Sequence, residues 1–430
     1  MKDFRKLFTV FMKIAIIGSG ISGLASSWLL SREHDITLYE KSDYLGGHAN
    51  TVDITYDDNK IAVDTGFIVF NFRTYPNLKA FFELLNVEIE KSDMSFGMKD
   101  LDRNFEYSGS NLKGLFADKR NLLNLKFYKM LKDILKFNKY AIKLVESKQD
   151  VASEVTLFDF INDLKLGDYF KDYYLLPMAG AIWSCSIDMI KNYPAKTFLQ
   201  FFYNHGLLTV INQPQWYTVT GGSKEYVKKI RNTIDADVRL NEAVKSVQNF
   251  NEKIEVTDES GNKELFDHVV FASHPDQTLK MLTDKTKEEQ EILSQIKYSK
   301  NTAVLHKDPK QMPNHKDAYA SWVYLYSKNE NKVSLSYWMN NLQNIDNDYP
   351  LFVTLNPINK INQNDVFGVY EYEHPVFDGN AIKAQDGLDS IQGIRNVWYC
   401  GAWTKYGFHE DGLNSAINIA KKFGIEIPWQ

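Results

Sequence analysis

Apolar positions along the chain form short runs typical of buried strands and longer segments with helical spacing. Residues 13–17 and 35–39 are apolar runs separated by a helical segment, which predicts a strand–helix–strand unit over residues 12–52. Short strands are predicted to continue to about residue 69, and residues 75–202 carry a helical pattern with few strand signals. Further strands and a last helix are predicted over residues 238–273, 301–356 and about 412–423.

Three glycines follow the first predicted strand at the spacing of a dinucleotide-binding turn. We expect Gly18 to make the tight turn, Gly20 to let the backbone approach a pyrophosphate, and Gly23 to let the next helix pack closely. The start of that helix, at Ser22, would offer N–H groups to phosphate. Glu40 ends the second predicted strand, where a carboxylate accepts hydrogen bonds from a ribose and disfavours NADP.

A second strand and glycine turn lie near the other end of the chain. Residues 396–400 form an apolar run that leads into Gly401 and Ala402, and Gly412 stands at the start of the last predicted helix. Two such units at opposite ends indicate one discontinuous domain that holds one large, doubly charged ligand. FAD is the ligand that this arrangement favours.

Another glycine pair, Gly46 and Gly47, follows Glu40 and is not part of a simple NAD motif. With residues 63–68, 220–223 and 269–273, this pair resembles the motifs of the flavin-containing amine oxidase superfamily, in order along almost the whole chain. An arginine often follows the pair in that superfamily, whereas His48 stands here. Residues 350–357, 372–377 and 401–412 resemble those of a bacterial family of FAD-binding amine-oxidase-like proteins, whose genes often lie beside methyltransferases resembling cyclopropane fatty acid synthase. That association implies a functional link to a lipid methyltransferase.

The resemblance implies an α/β fold: a discontinuous Rossmann-like FAD-binding domain and a substrate domain of mixed sheet plus helical cap. We assign residues 12–74, 205–275 and 388–430 to the first and residues 75–204 and 276–387 to the second. Residues 1–11 mimic a signal peptide but run straight into the first strand, so we expect them to lie outside the fold, with Met12 as the start. The residues expected to contact non-covalently bound FAD are Gly18, Gly20, Ser22, Gly23, Glu40, Lys41, Gly46, Gly47, His48, Thr65, Gly66, Phe67, Ile68, Val244, Ala272, Gly401, Ala402, Glu410, Asp411 and Gly412.

Composition narrows the classes of function. The net charge of −5 argues against a nucleic-acid partner, and two cysteines with nine scattered histidines argue against a disulfide framework or a metal site. The sequence contains no apolar run of 18 uncharged residues, so we expect no transmembrane helix and a cytoplasmic protein. Aromatic residues make up 14% of the chain, which fits either a rich core or a long apolar cavity.

Residues 112–148 are strongly basic. They contain nine Lys and one Arg against three acids, a net charge of +7, so the rest of the chain carries −12. Leu123, Phe127, Met130, Ile134, Phe137, Ala141 and Leu144 recur at helical spacing among the lysines. This pattern is typical of an ordinary cap helix and also of a helix that contacts the inner membrane face; RNA binding is a weaker alternative.

Four residues are candidates for the chemistry. His409 is the first candidate for a base beside the flavin, and Phe408 or His409 takes the place of an aromatic that amine oxidases hold against it; packing and helix capping are the ordinary interpretations. By resemblance, Lys300 would bind a water near the flavin. Trp403 is expected to line the substrate cavity, more so than Trp183, Trp216 or Trp338.

Together these patterns predict an FAD enzyme that abstracts a hydride from a hydrophobic substrate. The favoured substrate is an unsaturated or methyl-modified fatty acyl chain, with desaturation or double-bond isomerisation as the outcome. One alternative is an amine or polyamine oxidase that forms an imine and hydrogen peroxide. Another is a non-catalytic flavoprotein.

Overall fold

The computed structural model describes residues 11–103, 105–147, 155–183, 190–204, 206–209, 213–327, 329 and 332–430. Except for Phe11, the predicted extension 1–11 therefore lies outside the described residues.

The strands are numbered in chain order. The first ten are β1 Lys13–Ile17, β2 Asp35–Tyr39, β3 Thr51–Tyr56, β4 Asn59–Asp64, β5 Val69–Asn71, β6 Ile89–Ser92, β7 Phe96–Asp100, β8 Phe105–Ser108, β9 Trp216–Val219 and β10 Asp237–Arg239. The others are β11 Val244–Phe250, β12 Lys253–Asp258, β13 Lys263–Phe266, β14 His268–Phe271, β15 Lys297–His306, β16 Trp322–Ser327, β17 Lys332–Trp338, β18 Phe352–Leu355, β19 Val366–Val376 and β20 Val397–Tyr399.

The described α-helices are numbered in the same way. They are α1 Ile21–Leu30, α2 Pro76–Leu84, α3 Leu112–Leu115, α4 Leu125–Glu146, α5 Leu157–Asp163, α6 Asp168–Phe170, α7 Leu176–Trp183, α8 Ala195–Asn204, α9 Lys224–Thr233, α10 Pro275–Met281, α11 Lys287–Leu293, α12 Met339–Leu342, α13 Gly379–Gly387 and α14 His409–Lys422.

A five-stranded parallel sheet joins distant parts of the chain. Its order is β10-β2-β1-β14-β20, so a strand from the beginning, two from the middle and one from the end of the chain lie side by side with β2. Strands β1 and β20 flank β14, which brings the turns that follow them to the same edge of the sheet. The helices that follow the two turns, α1 and α14, pack closely against each other at this edge. A Cβ added to Gly412 of α14 would lie only 2.7 Å from Ile21 Cγ2 and 2.9 Å from Ser22 Oγ of α1.

A second sheet has seven strands in the order β19-β15-β18-β17-β16-β7-β8. Together with the helices that pack on it, this sheet is called the cap layer. Its pairs are antiparallel except β16 with β7. Strands β6, β7 and β8 lie in the region predicted to be mainly helical, so that prediction was wrong there. They are short and carry buried polar residues such as Lys99 and Glu106, whose partners come from distant segments, so local pattern does not reveal them.

Apolar side chains form one large cluster in the cap layer and one on each face of the parallel sheet. Helix α4 contributes Phe127, Met130, Ile134, Phe137 and Ala141 to the cap cluster. Leu123 was predicted on the same stripe, but it is 90% exposed because the helix begins at Leu125 and Leu123 belongs to the preceding turn. Within the described ranges, no helix is long and apolar enough to cross a bilayer.

Candidate active site

The three glycines after β1 differ in what surrounds them. Gly18 has a φ of +103°, and a Cβ there would lie 3.0 Å from the carbonyl oxygen of Ala272. A Cβ on Gly23 would overlap the carbonyl oxygen of Gly18, so α1 packs directly on the turn. A Cβ on Gly20 would meet nothing within 4 Å. The turn is therefore closely packed on the sheet side and open at Gly20, which is the space that a pyrophosphate needs.

The second glycine pair covers this turn. The N–H of Gly46 donates to the carbonyl oxygen of Ser19 at 3.0 Å, and a Cβ on Gly47 would lie 3.2 Å from Gly20 Cα. Both glycines have positive φ, +123° and +60°. Side chains at these positions would displace the loop from the phosphate turn.

Glu40 lies where the ribose of the nucleotide is predicted to bind. Its carboxylate accepts hydrogen bonds from Ser19 N at 2.9 Å, Ser19 Oγ at 2.6 Å and Ser42 N at 2.9 Å. A carboxylate offers about four acceptor positions, so one remains for a ribose hydroxyl. The N–H of Glu242 donates to the carbonyl oxygen of Glu40, which places Val244 at the same strand end, while Lys41 is exposed beside it.

The C-terminal turn is built around Gly401. Its N–H donates to Ser415 Oγ at 3.0 Å, and a Cβ on Gly401 would overlap the indole of Trp403. That indole is 3% exposed and belongs to a core cluster of the parallel sheet. Trp403 is therefore a packing residue beneath the turn, and the prediction that it lines the cavity was wrong. Ala402, next to Gly401, keeps part of its surface accessible.

His409 is the first residue of α14 and stacks on Phe67, with ring centroids 3.6 Å apart and an interplanar angle of 16°. Its Nε2 lies 3.1 Å from the hydroxyl of Tyr226. The residue is half-buried. Burial, with the nearby His48, lowers the pKa of His409 to about 3, and the imidazole is neutral at physiological pH.

His48 occupies the position after the glycine pair. Its carbonyl oxygen accepts from Phe67 N at 2.7 Å, and a Cβ on Gly66 would overlap that oxygen, which fixes the segment from Gly66 to Ile68. Burial lowers the pKa of His48 to about 4, and its buried Nε2 has no protein partner among the described residues. This nitrogen is therefore available for a hydrogen bond to a bound group.

His48 belongs to a four-histidine cluster with His274, His374 and His409. The His48 and His374 rings lie 5.3 Å apart, His274 stacks on Tyr298 at 3.9 Å, and electrostatic interactions link His48 to the other three. Burial lowers the pKa of His274 to about 4 and that of His374 to about 3. Histidine positions scattered in sequence gave no signal for this cluster.

Asp64 and Thr65 anchor the segment that carries Phe67. Asp64 accepts from Thr51 Oγ1 at 2.5 Å and from Ser223 N at 2.9 Å, and burial raises its pKa to about 6. Thr65 Oγ1 lies 2.6 Å from the hydroxyl of Tyr372. Sequence reasoning missed Tyr226, Tyr372 and the anchoring role of Asp64, because their partners are distant in the chain.

The two acids at the start of α14 have structural partners. Glu410 accepts from Asn77 N at 3.0 Å and Leu78 N at 2.8 Å at the start of α2, so its side chain serves that helix and not a cofactor. Asp411 accepts from Phe408 N at 3.0 Å and Tyr406 N at 3.2 Å, and burial raises its pKa to about 7. The contact predicted for residues 410–412 is with the backbone N–H groups at the start of α14, and these side-chain hydrogen bonds leave that prediction open.

Lys300 is separated from the other candidates. It is exposed on β15, paired with Glu373, whereas the adjacent pair Asn301 and Tyr372 points to the opposite face. Asn301 Nδ2 contacts His374 Nδ1 at 2.9 Å on that inner face. Asn301 therefore contacts the histidine cluster directly, whereas Lys300 lies opposite Glu373, whose carboxylate is 3.4 Å from His274 Nδ1.

Phe408 is half-buried between the cap cluster and a cluster of the parallel sheet, and its ring lies 5.1 Å from Phe201. It therefore stands at the boundary of the two layers, next to His409. Trp216 and Trp338 are partly buried against core clusters, and the side chain of Trp183 lies outside the described residues.

A family model described as flavin containing amine oxidoreductase matches residues 21–354. The chain belongs to this family. Members bind FAD, and the open space at Gly20, the free acceptor position of Glu40 and the unpartnered His48 Nε2 fit that cofactor. The protein is an FAD-dependent enzyme of the amine oxidase type.

Solved structures share the fold across nearly the full length. A CLA-producing fatty acid isomerase from P. acnes is 14% identical with a TM-score of 0.68, covering 96% of this chain and 98% of that one. Cyclohexylamine oxidase from Brevibacterium oxydans IH-35A is 12% identical with a TM-score of 0.68, covering 96% and 100%. Wild-type putrescine oxidase bound to putrescine is 13% identical with a TM-score of 0.66, covering 97% and 100%. No curated protein matches the sequence.

Proposed function

We propose that the protein abstracts a hydride from an unsaturated or methyl-modified fatty acyl chain. The main support for this proposal is that His409 stacks on Phe67, contacts the hydroxyl of Tyr226 and directly follows Phe408 in the chain. Lowered pKa values keep all members of the four-histidine cluster uncharged near pH 7, and Phe67, Phe408 and Tyr226 lie beside them. Aromatic rings and neutral imidazoles favour an apolar substrate over an ionised one. A charged side chain that contacts the cluster is Glu373, 3.4 Å from His274 Nδ1.

The chain's own residues supply binding and orientation. Gly20 and the N-terminus of α1 would hold the pyrophosphate, Glu40 the ribose, and the segment Gly66–Ile68 with His48 the ring system. FAD, when bound, supplies an acceptor for two electrons and a proton, and can give them back. Phe67 and Phe408 would exclude water from the reacting carbon and present aromatic faces to any positive charge that develops there.

The surroundings of His409 bear on the outcome of the reaction. Desaturation requires a base that removes a proton after hydride abstraction, whereas isomerisation in which the hydride returns to another carbon needs no strong base. With a pKa of about 3 and Nε2 next to Tyr226, His409 is a weak base. This supports isomerisation as the favoured branch of the proposal.

Anaerobic mixing of the flavin-loaded protein with fatty acids, phospholipids and polyamines tests the proposal. Acyl substrates should bleach the visible flavin absorption or, for an isomerisation, yield double-bond isomers detectable by mass spectrometry without net bleaching. Bleaching by polyamines, with no change in any lipid, would reject the acyl substrate. Free FAD with the same lipids serves as the control for uncatalysed reaction.

Oxidation of an amine is the second candidate. The stacked Phe67–His409 pair favours it, because an aromatic face also binds an organic cation. Formation of hydrogen peroxide with putrescine or spermine, and none with lipids, would select this function.

A further inference from the structure

Exposed apolar side chains gather at one corner of the cap layer. Leu123, Leu125 and Leu112 are 90%, 84% and 75% exposed, more than any other leucine in the described ranges. With Leu122 and Tyr128 they form what we call the leucine corner, and Leu135 and Tyr140 continue it along α4. Scattered exposed leucines are ordinary, but a concentration of this kind marks an interaction surface.

Contacts of Tyr128 and Asn124 hold the turn that carries the leucine corner in place. The hydroxyl of Tyr128 donates to the carbonyl oxygen of Leu122 at 3.1 Å, and its ring lies 6.1 Å from Phe116, at the end of α3. Asn124 caps α4 by accepting from Lys126 N and Phe127 N. The corner is therefore a fixed feature of the fold, built where a turn enters α4.

The charge that surrounds the corner is positive. Lys113 and Lys119 are exposed next to it, and α4 carries six lysines, all exposed: Lys126, Lys129, Lys132, Lys136, Lys139 and Lys143. The acids of the same region are occupied by internal partners. Asp118 pairs with Arg120, Asp133 accepts from Gly167 N at 2.9 Å, and Glu146 accepts from Tyr203 Oη at 3.2 Å.

We propose that the leucine corner and the lysines of α4 bind an anionic lipid bilayer. The leucines would enter the boundary between headgroups and acyl chains while the lysines contact lipid phosphates, the arrangement of interfacial helices. The other face of α4 is already buried in the cap cluster, so only the outer face is available. This surface does not depend on which substrate the active site takes.

A second copy of the chain is a poorer occupant. A symmetric dimer places the same patch on both subunits, which would set the lysines of one α4 against those of the other. A bilayer that contains acidic lipids instead offers negative charge and an apolar interior together.

Vesicle co-sedimentation tests the proposal with the flavin-loaded protein. We expect binding to vesicles of phosphatidylcholine plus phosphatidylglycerol and little binding to phosphatidylcholine alone. Leu123→Ser/Leu125→Ser and Lys132→Glu/Lys139→Glu should each lower the partition coefficient at least about tenfold while flavin content and Tm stay unchanged. The matched controls are Leu84→Ser/Leu240→Ser and Lys280→Glu/Lys287→Glu, which alter partly or largely exposed residues elsewhere and should bind as the wild type does.

Three outcomes would overturn the proposal. The first is absence of binding to the anionic vesicles. The second is binding that the leucine changes leave intact, because the leucines would then lie outside the bilayer. The third is an oligomer in solution that Leu123→Ser/Leu125→Ser dissociates, since another copy of the chain would then cover the corner.

Discussion

The imidazole of His409 lies flat against the phenyl ring of Phe67, with centroids 3.6 Å apart. Phe67 follows the β3–β4 hairpin and His409 begins the last helix, so this contact joins the first and the last of the three segments predicted to form the FAD-binding domain. The neutral state of His409 and its contact with the Tyr226 hydroxyl give the pair a fixed orientation. We therefore expect Phe67 to border the flavin ring and His409 to position the substrate beside it.

Replacement of His409 by Leu should leave FAD bound and slow turnover. Because the neutral imidazole is expected to position the substrate and not to act as a base, we expect a loss of about 10–100-fold in kcat from misplacement of the reacting carbon. Flavin content is measured from the absorption spectrum, and turnover with whichever substrate the anaerobic screen identifies. Tyr226→Phe, which removes only the partner hydroxyl, should have a smaller effect. Colourless H409L protein would show instead that His409 is needed to hold the cofactor.

Two glycine changes should separate cofactor binding from folding. A Cβ on Gly20 meets nothing in the protein and its φ is −63°, so Gly20→Ala should fold with an unchanged apoprotein Tm but bind FAD at least about tenfold more weakly. A Cβ on Gly23 overlaps the Gly18 carbonyl, so Gly23→Ala should lose stability by about 1–3 kcal/mol as well as FAD. Thermal unfolding of the apoproteins and fluorescence titration with FAD provide the measurements. Equal effects of the two changes on Tm would contradict this packing.

The four-histidine cluster should make the protein sensitive to acid. In the unfolded chain the four histidines become protonated near pH 6.5. In the folded protein their pKa values are about 3 to 4, so they become protonated only at lower pH. Their contribution to stability is complete above pH 6.5 and is lost as the pH falls toward 3. Asp64 and Asp411 change the pH dependence of stability in the opposite direction. Their pKa values are raised to about 6 and about 7, respectively, so the folded protein holds their protons at a pH where the unfolded chain has lost them.

Replacement of one histidine of the cluster should remove the contribution of one proton to the pH dependence of the unfolding free energy. His374→Gln should reduce the slope of unfolding free energy against pH by about 1.4 kcal/mol per pH unit between pH 4 and 6. Urea unfolding at several pH values measures the slope. Tyr372→Phe on the same strand removes a hydroxyl contact but no group that titrates in this window, so it should lower stability without altering the slope. An unchanged slope in H374Q would mean that His374 is protonated normally in the folded protein.

Sequence reasoning reached the parts of the fold that local chemistry determines. Gly18, Gly20 and Gly23 have distinct surroundings that follow from their positions after a buried strand. The same reasoning failed where the outcome depends on distant partners. Trp403 follows a flavin turn in sequence, yet its indole packs beneath it in the core, and Lys300 lies on a strand whose alternation turns it outward. The histidine cluster forms only when the loop between β2 and β3, the start of α10, β19 and the start of α14 come together.

Lys300 should be dispensable for the reaction. Its side chain is exposed and points away from the face that carries Asn301 and Tyr372, so Lys300→Met is expected to change kcat less than about twofold. Asn301→Leu provides the comparison, because it removes the 2.9 Å contact with His374 on the inner face and should impair turnover. A large loss of activity in K300M, with normal flavin binding, would show that Lys300 takes part in the reaction.

Replacement of Glu410 should show whether its side chain stabilises the folded protein or binds FAD. Its carboxylate receives the N–H groups of Asn77 and Leu78, which α2 would otherwise leave unpaired at its buried N-terminus. Glu410→Gln keeps the shape but weakens two charge-assisted hydrogen bonds, so we expect a loss of about 1–3 kcal/mol in the free energy of unfolding. FAD affinity should remain within about twofold, because the backbone N–H groups of α14 are unchanged. Denaturant unfolding and FAD titration measure the two effects, and a variant that loses FAD without losing stability would assign the side chain to the cofactor after all.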